Sequence, residues 1–294
     1  MKTGGNPGSN SVTKISKMIW DEFVYGSHLL ALGDALVIVA LSIILGINIT
    51  WSLPVVVYMS VLAINSYNRY KEFDQDLLTN PERSNKMRKY IKIFPYLISI
   101  LLLSSMVIVY LTATKQALIF MFVLFVLGLL YTTLFKGWTK KVIGFKNFSI
   151  ALPYSLMVIF LALYYNSPIT MAVILVSIFY YLRIFISAMY FDVKDIESDH
   201  KEGLKTFAAT FGEKKNSNLL MVLNILSVVP LLIAVYCRIL PMYSLMLLVT
   251  VLYSSFYILE LKDKKYNRQF LFNVVADGEF LFWLAYILIG KALL

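Results

Sequence analysis

Long apolar segments dominate the chain and limit what it can fold into. A helix needs about 20 apolar residues to cross a bilayer, and nine segments of roughly that length occur. They lie at residues 27–48, 52–70, 92–113, 116–134, 148–166, 168–190, 218–237, 240–261 and 270–290. Hydrophobic residues make up 59% of the 294, more than in a typical soluble domain. The sequence therefore predicts an all-α integral membrane protein, a bundle of about nine transmembrane helices.

Basic residues fall mainly on one side of these spans. Of the 27 Lys and Arg, 23 lie in the N-terminal segment and in the loops after the second, fourth, sixth and eighth spans. By the positive-inside rule, the N-terminus and these loops are cytoplasmic. The +10 net charge is divided among short loops, which argues against nucleic acid as a partner. Residues 1–18 are predicted to form a mobile polar tail, and residues 19–294 a single transmembrane domain.

Two acidic clusters stand at the ends of the second and sixth spans, both on the predicted cytoplasmic side. The first holds Asn68, Glu72 and Asp76, and the second holds Asp192, Asp195 and Asp199. Spacings of three and four place each set on one face of a helix. Clustered carboxylates repel one another unless cations lie between them, and oxygen ligands suit Mg²⁺. We therefore expect two Mg²⁺ sites facing each other across a central cavity, with a phosphate-bearing substrate.

Both clusters lie in stretches that resemble signatures of a known family. Asn68 to Arg83, NRYKEFDQDLLTNPER, resembles the first signature of the UbiA superfamily of intramembrane prenyltransferases, and Asp192 to Thr206, DVKDIESDHKEGLKT, resembles the second. The loop after the fourth span is similar to the family's Tyr/Lys and Lys-Asn elements, with Tyr131 and Lys136, and Lys146 and Asn147. The chain departs from the family pattern at Arg69, which replaces an Asp, and at Glu72, which replaces the middle Asp.

The resemblance implies a Mg²⁺-dependent transferase. It would move a polyprenyl group from an allylic diphosphate to an apolar acceptor (aromatic, quinone precursor or lipid) and release diphosphate. The implied catalytic residues are Asp192, Asp195, Asp199 and Tyr131. Basic and amide side chains beside the clusters would bind the diphosphate: Arg69, Arg83, Lys136, Lys146, Asn147, Lys201 and Lys205. The lipid-like prenyl chain would reach the site sideways from the bilayer.

Other ionisable residues lie within the apolar segments. Because charge is costly in hydrocarbon, they should face the interior, either paired or lining a cavity. His28, Asp34 and Asp277 are candidates for the acceptor side, where a carboxylate or imidazole can orient a nucleophile or take its proton. For Arg183, pairing between helices and lining a cavity are equally open, and Glu279 is a further buried ionisable residue of the last span.

Two alternatives remain open. The first is a terpene cyclase or other lyase that ionises the same diphosphate without an acceptor. The first span lacks the Arg-Pro opening of aromatic-acceptor members, which leaves acceptor chemistry without direct support. The second is a non-catalytic membrane carrier, although carriers more often bind their substrate near the bilayer midplane at broken helices.

Overall fold

The computed structural model describes residues 7–74, 77, 81–130, 136–263 and 266–294. Over these residues the chain forms helices joined by turns, without a β-strand. In chain order the helices are α1 Pro7–Tyr25, α2 His28–Leu45, α3 Ser52–Lys71, α4 Pro81–Met87, α5 Phe94–Thr112, α6 Lys115–Leu130, α7 Lys136–Thr139, α8 Phe145–Tyr164, α9 Met171–Phe191, α10 Ile196–Glu202, α11 Phe207–Phe211, α12 Glu213–Leu226, α13 Val229–Tyr236, α14 Val249–Asp263, α15 Arg268–Phe270 and α16 Phe282–Leu293. Two 3-10 turns, Met242–Leu248 and Glu279–Leu281, precede α14 and α16, and a π-helical turn, Leu271–Ala276, follows α15.

Seven helical stretches in the described ranges are long and apolar enough to cross a membrane. They are His28–Leu45, Phe94–Thr112, Phe145–Tyr164, Met171–Phe191, Glu213–Tyr236, Met242–Leu261 and Arg268–Leu293. Of the other two predicted spans, α3 is helical but more polar, and α6 is an apolar helix of 16 residues. The all-α membrane architecture is thus confirmed, and the count of nine spans stays a prediction.

The N-terminal segment contains more structure than the sequence suggested. The helix α1 begins at Pro7 and continues to Tyr25, so it covers much of the segment predicted as a mobile tail. The side chains of residues 13–20 are all exposed, in contrast to those of α2. The division into a tail and a domain at residue 19 stays a prediction.

Apolar packing holds the bundle together around α2 and α8. Both helices contribute to two clusters, one with α3, α5 and α6 and the other with α9, α13 and α16. A third cluster joins the end of α9 to α11, α12, α14 and the π-helical turn. This third cluster buries Val193 beside Asp192, and so fixes the turn that carries the second acidic cluster.

In the structure Arg183 lies in the interior and is paired, which decides between the two alternatives. Its guanidinium donates to Glu279 Oε1 at 2.5 Å, and both side chains are almost fully buried. Asn224 and Ser254 accept further hydrogen bonds from Arg183, and Tyr257 donates to Glu279 Oε2 at 2.8 Å. The two charges are therefore paired and supported by polar groups from α12 and α14.

We expect Glu279→Ala to destabilise the protein by roughly 3–5 kcal/mol, because it leaves the Arg183 charge buried without its counter-charge. Thermal unfolding in detergent measures this loss, with Glu197→Ala, at an exposed position, as the control. The double variant Arg183→Leu/Glu279→Leu should lose less than Glu279→Ala. A melting temperature of Glu279→Ala equal to that of the control would contradict the account.

Candidate active site

A lysine links two carboxylates of the second acidic cluster. Lys146 Nζ lies 2.7 Å from Asp192 Oδ1 and 3.6 Å from Asp199 Oδ1. The other oxygens of these carboxylates accept hydrogen bonds from neutral groups, Asn147 Nδ2 to Asp192 Oδ2 at 2.7 Å and Thr206 Oγ1 to Asp199 Oδ2 at 2.8 Å. Both aspartates are almost fully buried. Two anions thus converge on one cation position.

Backbone contacts fix the start of α8, which carries Lys146. Gly144 precedes the helix with φ +73, and a Cβ at this position would lie 2.2 Å from the Phe207 ring. Only glycine combines this conformation with such a close approach. Gly144 N donates to Lys205 O at 3.0 Å, and Lys205 N donates to Thr139 O at 2.8 Å. The α7–α8 loop is therefore tied to the loop after α10.

Burial changes the acidity of both aspartates. It raises the pKa of Asp199 to about 6, with the Lys146 charge acting in the opposite direction. Burial also raises the pKa of Asp192, against the charge and hydrogen bond of Lys146 and the hydrogen bond from Asn147. The negative charge of Asp195 raises both pKa values further. The cluster therefore needs positive charge to stay ionised.

The prediction of one continuous helical face was wrong for the second cluster. The helix α9 ends at Phe191, Asp192 caps it, and a new helix begins after Asp195. A carboxylate is disfavoured at a helix C-terminus and favoured at an N-cap, which explains the break. Asp195 makes no side-chain capping bond, and its buried Oδ1 has no hydrogen-bond partner in the described part of the chain.

The first cluster is only partly described. Here too the helix stops early, because α3 ends at Lys71 and Glu72 is its C-cap, while Asp76 lies outside the described residues. Asn68 Oδ1 is buried and, over the described ranges, has no hydrogen-bond partner. Arg69 Nη1 donates to the backbone carbonyl of Tyr25, at the end of α1. Part of the Arg69 guanidinium is therefore already hydrogen-bonded within the chain.

Asp277, in the last span, is within electrostatic reach of basic residues from both motifs. This carboxylate interacts electrostatically with Arg69, Arg83 and Lys194. It follows directly after the π-helical turn, a local widening that often accompanies functional sites. Charges from the first motif (Arg69 and Arg83) and from the second (Lys194) thus act on one carboxylate of the last span.

The donor set suits a hard cation. Asp192 and Asp199 already hold one ammonium, and the unpaired oxygens of Asp195 and Asn68 are the kind of ligand that Mg²⁺ takes. Within the described ranges, however, no three His, Cys, Asp or Glu side chains are close enough together to hold a metal ion. The two predicted ligand sets therefore remain a proposal.

Several predicted diphosphate ligands lie elsewhere or are not described. Lys205 is exposed. Lys201 lines a separate cavity of about 460 Å³ together with Lys194, Glu197 and Arg268. Tyr131 lies outside the described residues, as does the Lys136 side chain. Asn147 is fully buried and donates to Asp192, so in this structure it orients a carboxylate.

The acceptor-side candidates are hydrogen-bonded to tyrosines. Tyr180 donates to Asp34 Oδ1 at 2.6 Å, and Asp34 Oδ2 has no hydrogen-bond partner where the chain is described. His28 Nδ1 lies 2.6 Å from the Tyr58 hydroxyl. Asp34 also interacts electrostatically with Asp277.

An apolar pocket of about 80 Å³ lies between α3, α6 and α8. Its wall includes Ile64, one helical turn before Asn68, and Tyr154, whose hydroxyl accepts a hydrogen bond from Asn65 at 3.3 Å. The sequence offered little reason to select Tyr154, Asn65 or Thr206. Thr206 ends the second motif, and that position was the one available signal.

These features define an integral membrane protein with a buried cluster of ionisable side chains where α9 ends and α8 begins. The UbiA prenyltransferase family matches residues 29–284 by sequence, and the chain belongs to this family. A comparison with curated protein sequences found no match.

Solved structures share the fold at low sequence identity. A digeranylgeranylglyceryl phosphate synthase is 19% identical, with a TM-score of 0.59 over 93% of this chain and 97% of that one. An apo UbiA homologue from Aeropyrum pernix K1 is 16% identical, with a TM-score of 0.63 over 90% and 96%. A UbiA homologue from Archaeoglobus fulgidus bound to GPP and Mg²⁺ is 13% identical, with a TM-score of 0.65 over 92% and 99%.

Proposed function

We propose that this chain is a Mg²⁺-dependent intramembrane prenyltransferase acting on an allylic diphosphate and an apolar acceptor. The C–O bond to the diphosphate breaks and its electron pair leaves with the diphosphate. The prenyl carbon then bonds to a nucleophilic atom of the acceptor, which gives up a proton. Family membership supports this proposal, as does the fold shared with a homologue bound to GPP and Mg²⁺.

One observation carries the proposal: two buried carboxylates, Asp192 and Asp199, share the ammonium of Lys146, and Asp195, between them in sequence, has a buried oxygen without a hydrogen-bond partner among the described residues. A surface salt bridge would not need to bury both anions. When bound, Mg²⁺ would neutralise the negative charge that grows on the leaving diphosphate. Asp192, Asp195 and Asp199 would hold one ion, and Asn68, Glu72 and Asp76 another.

Basic groups of the chain would bind and orient the diphosphate. Arg69, Arg83 and Lys194 each act electrostatically on the Asp277 carboxylate, and Lys146 contacts both Asp192 and Asp199. Fixed positive charges stabilise a leaving group most strongly where water is excluded. Lys136, Lys201 and Lys205 would act at the rim, and the site would face the cytoplasm, in keeping with the bias of the basic loops.

The substrate's apolar parts would lie within the bundle. The pocket between α3, α6 and α8 offers the prenyl chain an almost wholly apolar wall. On the acceptor side, the free oxygen of Asp34 could take a proton from the acceptor, with Tyr180 holding the other oxygen. His28 and Asp277 are the further candidates for this role.

A diphosphate-release assay tests the proposal. Purified protein with Mg²⁺ and geranylgeranyl diphosphate should release little diphosphate alone, and much more after addition of a lipid extract that supplies acceptors. Mass spectrometry should then find the prenylated product. Rapid release without acceptor, with a cyclic hydrocarbon as product, would replace the transferase by a cyclase. Absence of release under both conditions would favour a carrier.

A further inference from the structure

The position of Lys146 is unusual for a lysine. It is the second residue of α8, and positive charge near a helix N-terminus is unfavourable, because the exposed N–H groups there already carry partial positive charge. Its ammonium nevertheless contacts two buried carboxylates at 2.7 and 3.6 Å. The local cost is therefore offset by Asp192 and Asp199, which would otherwise be buried anions without a charged partner.

The contacts of the two aspartates show which oxygens are available. Asp192 Oδ2 is held by Asn147 and Asp199 Oδ2 by Thr206, both through neutral donors. The Oδ1 atoms face Lys146. Asp192 and Asp199 would hold a metal ion where the Lys146 ammonium now lies, and the two positive charges would repel each other there.

We propose that Lys146 is a built-in counter-cation, which occupies the metal position in the metal-free protein and leaves it when Mg²⁺ binds. This inference rests on the proposed function, since it assumes Mg²⁺ at Asp192 and Asp199. The displaced ammonium needs a new anionic partner, and a diphosphate bound to the same metal supplies one. Diphosphate therefore strengthens Mg²⁺ binding, and Mg²⁺ strengthens diphosphate binding equally.

Chemical labelling of the wild-type protein tests the displacement directly. An amine-acylating reagent is applied with EDTA, with MgCl₂, and with MgCl₂ plus inorganic diphosphate, and modification is quantified by mass spectrometry. The exposed Lys141 serves as the internal reference. Mg²⁺ should increase the labelling of Lys146 relative to Lys141 severalfold, and added diphosphate should reverse the increase. Labelling that Mg²⁺ leaves unchanged or lowers would overturn the inference.

A variant provides an independent measurement. Lys146→Met keeps the aliphatic length and removes the charge, so it should bind Mg²⁺ alone about tenfold more tightly than wild type by calorimetry. Without metal it should unfold at a lower temperature, and Mg²⁺ should restore the loss. Lys141→Met is the matched control and should bind Mg²⁺ as wild type does.

The outcomes separate the two hypotheses. If wild type shows Mg²⁺-dependent diphosphate release but Lys146→Met binds Mg²⁺ no more tightly, the counter-cation role is wrong and the proposed function stands. If neither wild type nor Lys146→Met binds Mg²⁺, and diphosphate release does not depend on metal, the proposed function itself is wrong and this inference falls with it.

Discussion

Replacement of Asp192 by Ala should lower kcat at least about a hundredfold, on the order of 2.7 kcal/mol of transition-state stabilisation. The carboxylate is buried, accepts hydrogen bonds from Lys146 and Asn147, and adjoins Asp195 and Asp199. Its loss removes both a proposed metal ligand and the partner that orients Lys146. Steady-state diphosphate release with saturating prenyl diphosphate measures the effect.

Two controls distinguish a chemical loss from misfolding. Asp192→Asn keeps the shape and should also be inactive while unfolding near the wild-type temperature. Glu197→Ala, at an exposed position on α10, removes a carboxylate near the cluster and should retain activity. Near-normal rates in Asp192→Ala and Asp192→Asn would exclude Asp192 from the site.

The membrane architecture could be predicted well from the sequence. Span positions follow from the cost of leaving polar groups in a bilayer, a property of each segment by itself. The structure begins α2 at His28, α5 at Phe94 and α9 at Met171, each within three residues of the predicted start. Where the segment is more polar, as in α3, hydropathy alone does not identify a span.

Local rules explain the errors at the acidic clusters. The spacing of three and four residues predicts one helix that continues through Asp192 and Asp195. In the structure α9 ends at Phe191 and α10 begins at Ile196. The sequence does contain a signal for a helix start here. Asp195 is a favourable N-cap residue, and Glu197 and Asp199 fall in the first turn of α10. Helix-capping preferences therefore predict the start of α10 at this position.

The contacts that define the site could not be predicted in the same way. Lys146 contacts Asp192 and Asp199 across 46 and 53 residues of sequence, and Arg183 contacts Glu279 across a still longer separation. Such contacts depend on how helices pack, and neither hydropathy nor spacing encodes that packing. In the sequence, only the resemblance of both motifs to the signatures of one family indicates that their residues belong to one site.

Removal of divalent metal should abolish turnover altogether. The leaving diphosphate gains negative charge as its C–O bond breaks, and the chain's own cations near Asp192 are partly committed to carboxylates, Lys146 to two of them and Arg83 and Lys194 to the region of Asp277. Without added positive charge, the aspartates would repel the diphosphate. Chelation should therefore cost more than any single substitution.

The most direct test of the account is diphosphate release by purified wild-type protein in the presence of an allylic diphosphate and acceptor lipid, measured first in EDTA and then after addition of excess MgCl₂. We expect no release above background in EDTA and full recovery with Mg²⁺, while Asp192→Asn stays inactive in both. Sustained turnover in EDTA would contradict a metal-dependent site at the two motifs.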